Sequence, residues 1–291
     1  MSTHDLPDLE AFLASPIEDL GAVAPATMVY TQGGTRRAAA LSGMAPESDA
    51  YIQFTRQNMV RCVEMLFRYG VQHVFIMAIT PQNYRESGAY RERLLAFTDW
   101  GIAGPEALAD YGRLGWRVRL LGSEDIPALQ PTAERLIQAT GGNGRPTLWC
   151  LAVPDEEAPW RSLLAAVHRT GAATRQETIQ AIYGETIPPI SMFLSTGKPL
   201  FNHHLLPPLL VGNVQGYWRQ QPGHSLSDRE WRLILYDYAY TRATWRQDKE
   251  GRAETAVLNS AIWKHAPTLG LGVRLGSFWY PAPTPPSQTQ P

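Results

Sequence analysis

The chain has 291 residues, 44% apolar and 18% charged, a composition that excludes a disordered polymer and fits a globular protein with a sizeable core. Its formal net charge of -1 excludes a general attraction to nucleic acid or anionic lipid, so any anion site has to come from a local cluster of arginines. Two cysteines, Cys62 and Cys150, lack metal-ligand spacing and read as buried thiols of a reducing compartment.

The amino terminus "MSTHDLPDLEAFLASP" carries acids where a secretion signal needs lysine or arginine, and no stretch approaches the ~18 apolar residues of a spanning helix. A cytoplasmic protein is expected. An amphipathic helix near residues 7 to 15 precedes "VAPATMVYTQ", a short buried strand that runs into a Gly-Gly turn and two adjacent arginines. From Ser48 the spacing of Ile52, Met59, Val63, Leu66 and Phe67 predicts a helix, stopped by Gly70. "VQHVFIMAIT" is the next buried strand, and the strand-helix-strand order predicts a parallel pair joined by a right-handed crossover.

Helical patterns then fall around 89 to 100 and 104 to 113, followed by the strand "WRVRLLG", the helix "PALQPTAERLIQAT", the turn "GGNGRP" and the strand "TLWCLAV". The alternation predicts one α/β domain over residues 1–280, a mostly parallel sheet flanked by helices, with an amino-terminal helix and a carboxyl-terminal helical extension. "PWRSLLAAVHRTGAATRQETIQAIY" reads as one or two helices and "PISMFLST" as a strand, whereas "FNHHLLPPLLVGNVQGYW" has no clear period. Ser227 and Glu230 form a capping box that opens the aromatic helix "EWRLILYDYAYTRATWRQ", whose apolar residues occupy more than one face, which fits burial against a partner surface. A homodimer is expected, and residues 281–291, rich in proline, are expected to be disordered.

Ligands of parallel sheets bind beyond the carboxyl ends of strands, where the Gly-Gly turn falls. Gly33 and Gly34 let a ligand approach the backbone, Thr35 opens the next helix, and Arg36 and Arg37 offer forked, charge-assisted donors that suit a diphosphate. A solvated arginine pair is the plainer alternative. "AITPQNYRESGAY" ends the next strand and brings Thr80, Gln82, Asn83, Tyr84, Arg85 and Tyr90 to the same edge, either as a site or as a turn with a capping Asn. His203 and His204 serve as base, as diphosphate donors or as structural groups, and Asp155, Glu156 and Glu157 suit the start of the following helix. "GLGVRLG" has the wrong spacing for a dinucleotide loop, so no nucleotide cofactor is expected.

"GGTRR" (Gly33 to Arg37), "TPQNY" (Thr80 to Tyr84) and "GWRVRLLGSEDIPALQ", in this order and spacing, resemble the cis-prenyltransferase family typified by undecaprenyl diphosphate synthase, across roughly residues 26 to 200. The family's first motif opens on an Asp that helps to hold Mg²⁺, and here Gly33 stands in that place. The family grips its isopentenyl co-substrate with an Arg-Thr-Ser-Gly-Glu segment, and the counterpart "LSTGKPL" has Leu194 for the Arg and Lys198 for the Glu. Losing charge-assisted bonds worth about 1.5–3 kcal/mol each argues against chain elongation.

The retained Gly-Thr-Arg-Arg turn is similar to that of a small bacterial branch, the synthases that form tuberculosinol and kolavelool from a bicyclic diterpenyl diphosphate. The missing Asp places the chain nearer the kolavelool-forming group. The resemblance implies ionisation of kolavenyl diphosphate, stabilised by Arg36 and Arg37 with the amides of Gly33, Gly34 and Thr35 and with Thr80, and water capture of the cation to give the tertiary alcohol kolavelool. Tyr51, Tyr84 and Tyr90 are the aromatic candidates for facing the cation, Tyr51 first for holding the water, with Asn83 beside them. Mg²⁺ carried chiefly by the substrate diphosphate is compatible with this set, with no metal ligand assigned to the chain. A tuberculosinol-type synthase, prenyl transfer to another acceptor, a polyprenyl synthase with a rearranged co-substrate site and a non-catalytic accessory subunit remain open alternatives.

Overall fold

The apolar runs form a six-stranded sheet in this computed structural model, which describes residues 6–45, 48–142, 146–244 and 250–282. Its strands are β1 (Thr27–Thr31), β2 (His73–Ile79), β3 (Arg117–Leu121), β4 (Thr147–Ala152), β5 (Ile190–Thr196) and β6 (Val211–Arg219). They lie in the order β3-β4-β2-β1-β5-β6, and every pairing is parallel. A parallel sheet is covered on both faces, which explains why Met28, Val29, Tyr30, Val74, Phe75, Leu148 and Trp149 are all buried. The stretch without a clear period, 201–218, resolves into a 3₁₀ turn at His203–Leu205 and the edge strand β6. Its burial is only partial along most of its length, so alternation never developed in the sequence.

Helices α1 (Leu9–Ala14), α2 (Thr35–Leu41), α3 (Asp49–Arg68), α4 (Pro81–Arg85), α5 (Ala89–Ala103) and α6 (Pro105–Leu114) come before β3. After it come α7 (Gln130–Ala139), α8 (Ala158–Thr170), α9 (Arg175–Tyr183) and α10 (Asp228–Tyr236), the last continued by a π turn over Asp237–Thr241. Ser48 caps α3 by accepting from the Tyr51 amide, and Gly70, at φ +89°, ends the turn after it, where a Cβ would press on Gly21. Buried Arg56 on α3 pairs with Glu106 at 2.8 Å and Asp110 at 2.6 Å on α6. This fixes α3 against its neighbour; burial acts to raise the Asp110 carboxyl, but the hydrogen bonds and charges of Arg56 and Arg113 together hold it below its ordinary range.

The Ser227 and Glu230 capping box is present at α10. Trp231 and Leu235 of that helix are buried within the chain, and the rings of Tyr236 and Tyr240 pack on Phe12 of α1 at 5.3 and 5.6 Å. Part of the aromatic surface expected to meet a second copy is therefore used internally. Beyond α10 lie α11 (Arg252–Leu258), α12 (Ser260–Lys264) and an antiparallel hairpin, β7 (Gly272–Leu275) with β8 (Phe278–Pro281). "GLGVRLG" is thus the entry to a hairpin. Of the proline-rich tail, Pro281 pairs with Gly272, and residues from 283 onward lie outside the described part. Among the described residues, no helix is long and apolar enough to cross a membrane.

Candidate active site

Because β1 lies between β2 and β5, three strand ends open side by side. They deliver the turn 32–37, the segment 80–85 and the loop after Thr196 to one edge of the sheet, where the strand order switches direction about β1. Side chains tie the ends together: Thr31 Oγ1 donates to Ser195 Oγ at 2.9 Å, and Thr196 Oγ1 donates to Gln32 Oε1.

Gly34 adopts φ +79° and opens α2 without a side-chain cap, so the first-turn amides of α2 have no side-chain acceptor there. A Cβ on Gly34 would fall 2.7 Å from Arg37 Nη2 and 2.9 Å from Pro222 Cβ. Only glycine permits both the backbone angle and the fold-back of Arg37. Gly33 is exposed, a Cβ there would meet nothing within 4 Å, and its carbonyl accepts the Gly223 amide at 2.9 Å.

The two strand-end segments meet in a hydrogen-bonded chain. Arg36 Nη2 donates to Tyr90 Oη at 2.6 Å, and the same oxygen accepts from Asn83 Nδ2 at 3.4 Å. Thr80 Oγ1 donates to Asn83 Oδ1 at 2.5 Å while capping α4 through the Asn83 amide at 3.2 Å. Arg36 also lies over the Tyr90 ring, 5.4 Å from its centre. The exposed guanidinium is therefore held from the second motif through uncharged groups, which leaves its positive charge for an anion. The cap is thus Thr80 and not Asn83, whose side chain instead joins the hydrogen-bonded chain to Tyr90.

Tyr51, in the first turn of α3, bonds Thr35 Oγ1 through its hydroxyl at 2.8 Å and stacks on Phe97 at 6.1 Å. Thr35 also borders a cavity of about 240 Å³ between α2, α3 and the loop 221–225, lined further by Phe54, Thr55, Asn58, Arg61 and His224. Arg36 and Arg37 do not line it. Two buried polar atoms in this lining, Thr55 Oγ1 and His224 Nδ1, lack a hydrogen-bond partner in the structure. Burial, aided by nearby Arg61, lowers the His224 imidazole to about 4, so it is neutral at pH 7.

Other sequence candidates lie elsewhere. Tyr84 packs against the core with Arg91 over its ring at 5.6 Å, outside the Arg36 cluster. Arg85 and buried His204 both reach Glu156, at 3.6 and 3.3 Å, and Asp155 is bonded by Arg161 at 2.9 Å. At the end of β5, Leu194 is buried and Lys198 is exposed, so this segment presents no arginine to the crevice. One contact had no counterpart in the sequence reading: Phe278 of β8 lies under Arg37, with the guanidinium carbon 4.8 Å from the ring centre. The signal for it was local only, since "LGSF" is a Gly-Ser hairpin loop.

Among the described residues no group of three or more His, Cys, Asp or Glu side chains converges to hold a metal ion, and Gly33 adds none.

No family model matches the chain. It is similar to (+)-kolavelool synthase from Herpetosiphon aurantiacus, 44% identical over 279 residues that cover 96% of each chain. It is also similar to tuberculosinyl adenosine transferase from Mycobacterium tuberculosis, 25% identical over 252 residues, 80% of this chain and 82% of that one. Among solved structures it resembles lavandulyl diphosphate synthase from Lavandula x intermedia in complex with dimethylallyl diphosphate, at TM-score 0.58 and 16% identity, covering 77% of this chain and 98% of that one. A probable undecaprenyl diphosphate synthase from Campylobacter jejuni matches at TM-score 0.55 and 12% identity over 76% and 97%.

Proposed function

The chain belongs to the family of (+)-kolavelool synthase, diterpene synthases of the cis-prenyltransferase fold, and from that premise we propose that it ionises kolavenyl diphosphate and captures the cation with water. The products are the tertiary alcohol kolavelool and inorganic diphosphate. That it is an enzyme acting on a diphosphate follows from the family. The substrate skeleton and the water step are our reading.

In the first step the allylic C–O bond breaks and the diphosphate keeps the electron pair. Charge grows on oxygen, and donors already in position lower the barrier without reorganising. Arg36, fixed by Tyr90, and Arg37, folded over Gly34, are those donors, with the first-turn amides of α2 beside them, while the Thr80 hydroxyl is engaged with Asn83. In the second step a water oxygen bonds to the tertiary end of the allyl system and loses its proton to the diphosphate or a phenol oxygen. Tyr51 is the residue assigned to the water, because its hydroxyl is bonded to Thr35 of the anion turn and its ring extends to Phe97. Tyr90 supplies a ring near the second motif, whereas the Tyr84 ring is already covered by Arg91. Mg²⁺, carried by the substrate, would neutralise part of the leaving charge.

The observation that carries this reading is the 2.6 Å bond from Arg36 to Tyr90, which joins the two strand-end motifs without a carboxylate. Purified chain incubated with C15 and C20 allylic diphosphates, with and without Mg²⁺, tests it by mass spectrometry of the products. A tertiary diterpene alcohol from the C20 bicyclic substrate is expected. Consumption of isopentenyl diphosphate, or inactivity of the chain without a partner protein, would overturn it.

A second reading keeps the ionisation and replaces water by a larger acceptor. The cavity beside Thr35, with Asn58, Gln221 and His224 in its wall, favours it, as does the similarity to an adenosine transferase. Adding adenosine to the same incubation separates the two. The homodimer and the cytoplasmic setting also belong to our reading, the latter supported by the buried, unpaired thiols of Cys62 and Cys150.

A further inference from the structure

The β7–β8 hairpin has four residues in each strand and little buried apolar surface, since Leu275, Phe278 and Tyr280 are 55%, 51% and 50% exposed and, of its apolar side chains, only Val273 and Trp279 are half-buried. Two-stranded hairpins of this kind are marginal when isolated, so contacts with the rest of the chain decide where it lies. Two such contacts flank the strand-end crevice. The chain entering the hairpin runs along the loop after β5, where a Cβ on Gly270 would lie 3.4 Å from Pro199 Cγ. At the other end the Phe278 ring faces Arg37 at 4.8 Å.

We propose that Phe278 is a positioning residue for Arg37, so that the carboxyl-terminal hairpin is part of the anion site and sets the pose of one of its two arginines. This rests on the reading that Arg37 holds the leaving diphosphate. The guanidinium is a flat group whose five N–H donors lie in its plane. Its side chain folds back over Gly34, which has no side chain to obstruct it, and the guanidinium carbon stands over the Phe278 ring. An aromatic ring on the face attracts the cation and excludes water there, yet leaves the in-plane donors free to fork onto phosphate oxygens. A carboxylate in the same position would fix the side chain equally well and would also compete with the substrate for its donors. The ring orients without competing.

The test is titration calorimetry of the full chain with inorganic diphosphate. Phe278→Ala is expected to weaken binding about two- to fivefold, the range of one partly exposed cation–ring contact. Phe278→Trp is expected to restore it, and Phe278→Leu, which keeps apolar bulk but has no aromatic face, is expected to behave like Ala. Leu269→Ala, at a hairpin approach that is 90% exposed, serves as the control and leaves binding unchanged. A double-mutant cycle completes the set: the loss from Phe278→Ala should disappear in an Arg37→Ala background. Full binding by the Leu variant, or additivity in the cycle, overturns the proposal. No loss of diphosphate binding in Arg37→Ala alone overturns the functional reading beneath it, so the two failures are distinct.

Discussion

Tyr90→Phe removes a single oxygen from the Arg36 cluster and leaves the ring in place. That oxygen accepts the 2.6 Å bond from Arg36 and the 3.4 Å bond from Asn83. Bonds to charged groups contribute about 1.5–3 kcal/mol, and because Arg36 is exposed the lower end applies, about 1–1.5 kcal/mol once solvent screening is included. At about 1.4 kcal/mol per tenfold in rate, kcat/KM for diphosphate release should fall roughly five- to tenfold. Tyr90→Ala also removes the ring 5.4 Å from Arg36, adding a further loss of about two- to fivefold. The assay is steady-state release of inorganic diphosphate from a C20 allylic diphosphate, with circular dichroism to establish that the variants fold. Because Asn83 acts through the same oxygen, Asn83→Ala should cost less in a Tyr90→Phe background than in the parent. A Tyr90→Phe enzyme within twofold of the parent, or strict additivity with Asn83→Ala, would refute the argument that Tyr90 orients Arg36.

Gly34→Ala should all but abolish activity and lower the melting temperature, since it combines φ +79° with a Cβ 2.7 Å from Arg37 Nη2, whereas Gly33→Ala, with open space, should keep both; equal effects in a paired assay would contradict the geometry. Tyr51→Phe breaks the 2.8 Å bond to Thr35 and should raise the proportion of alkene over alcohol, measured by gas chromatography; an unchanged ratio removes Tyr51 from water positioning. Stability should decline as pH falls. Burial, with Arg117 nearby, lowers the His73 imidazole to about 4 from its ordinary 6.5, and its Nδ1 accepts from Trp149 Nε1 at 3.2 Å. The unfolded chain takes up this proton below about pH 6.5 and the folded chain does not, so the contribution is full above 6.5 and is lost toward pH 4. Its upper size is on the order of 3 kcal/mol. Thermal melts of His73→Asn, whose Oδ1 can accept the same bond, should show a shallower slope between these values; an identical slope would exclude His73.

Most of the sheet could be read from local pattern because its strands are buried on both faces and appear as unbroken apolar runs, "TMVYT" and "HVFIMAI" among them. The cluster of Arg36, Asn83 and Tyr90 was partly visible, since both segments follow strands and neighbouring parallel strands bring their ends together. That Tyr90 rather than Tyr84 accepts from Arg36 depends on the turn between α4 and α5, which no periodicity encodes. The edge strand β6 escaped because Pro207, Pro208, Gly212 and Gly216 interrupt any alternation. Phe278 escaped for a different reason: its partner lies at the opposite end of the chain, and only the three-dimensional path of the hairpin makes them neighbours.

The Gly33 carbonyl is satisfied by the amide of Gly223. During synthesis the anion turn leaves the ribosome early, but the residue that completes its backbone bonding is added only when most of the polypeptide has been made. A chain that stops before that residue contains both β1 and β2 but lacks the amide that bonds the Gly33 carbonyl. The shape of a turn near the start of the chain is thereby made to depend on a segment in its last third, so a truncation well away from the two arginines in sequence reaches them through this one backbone bond.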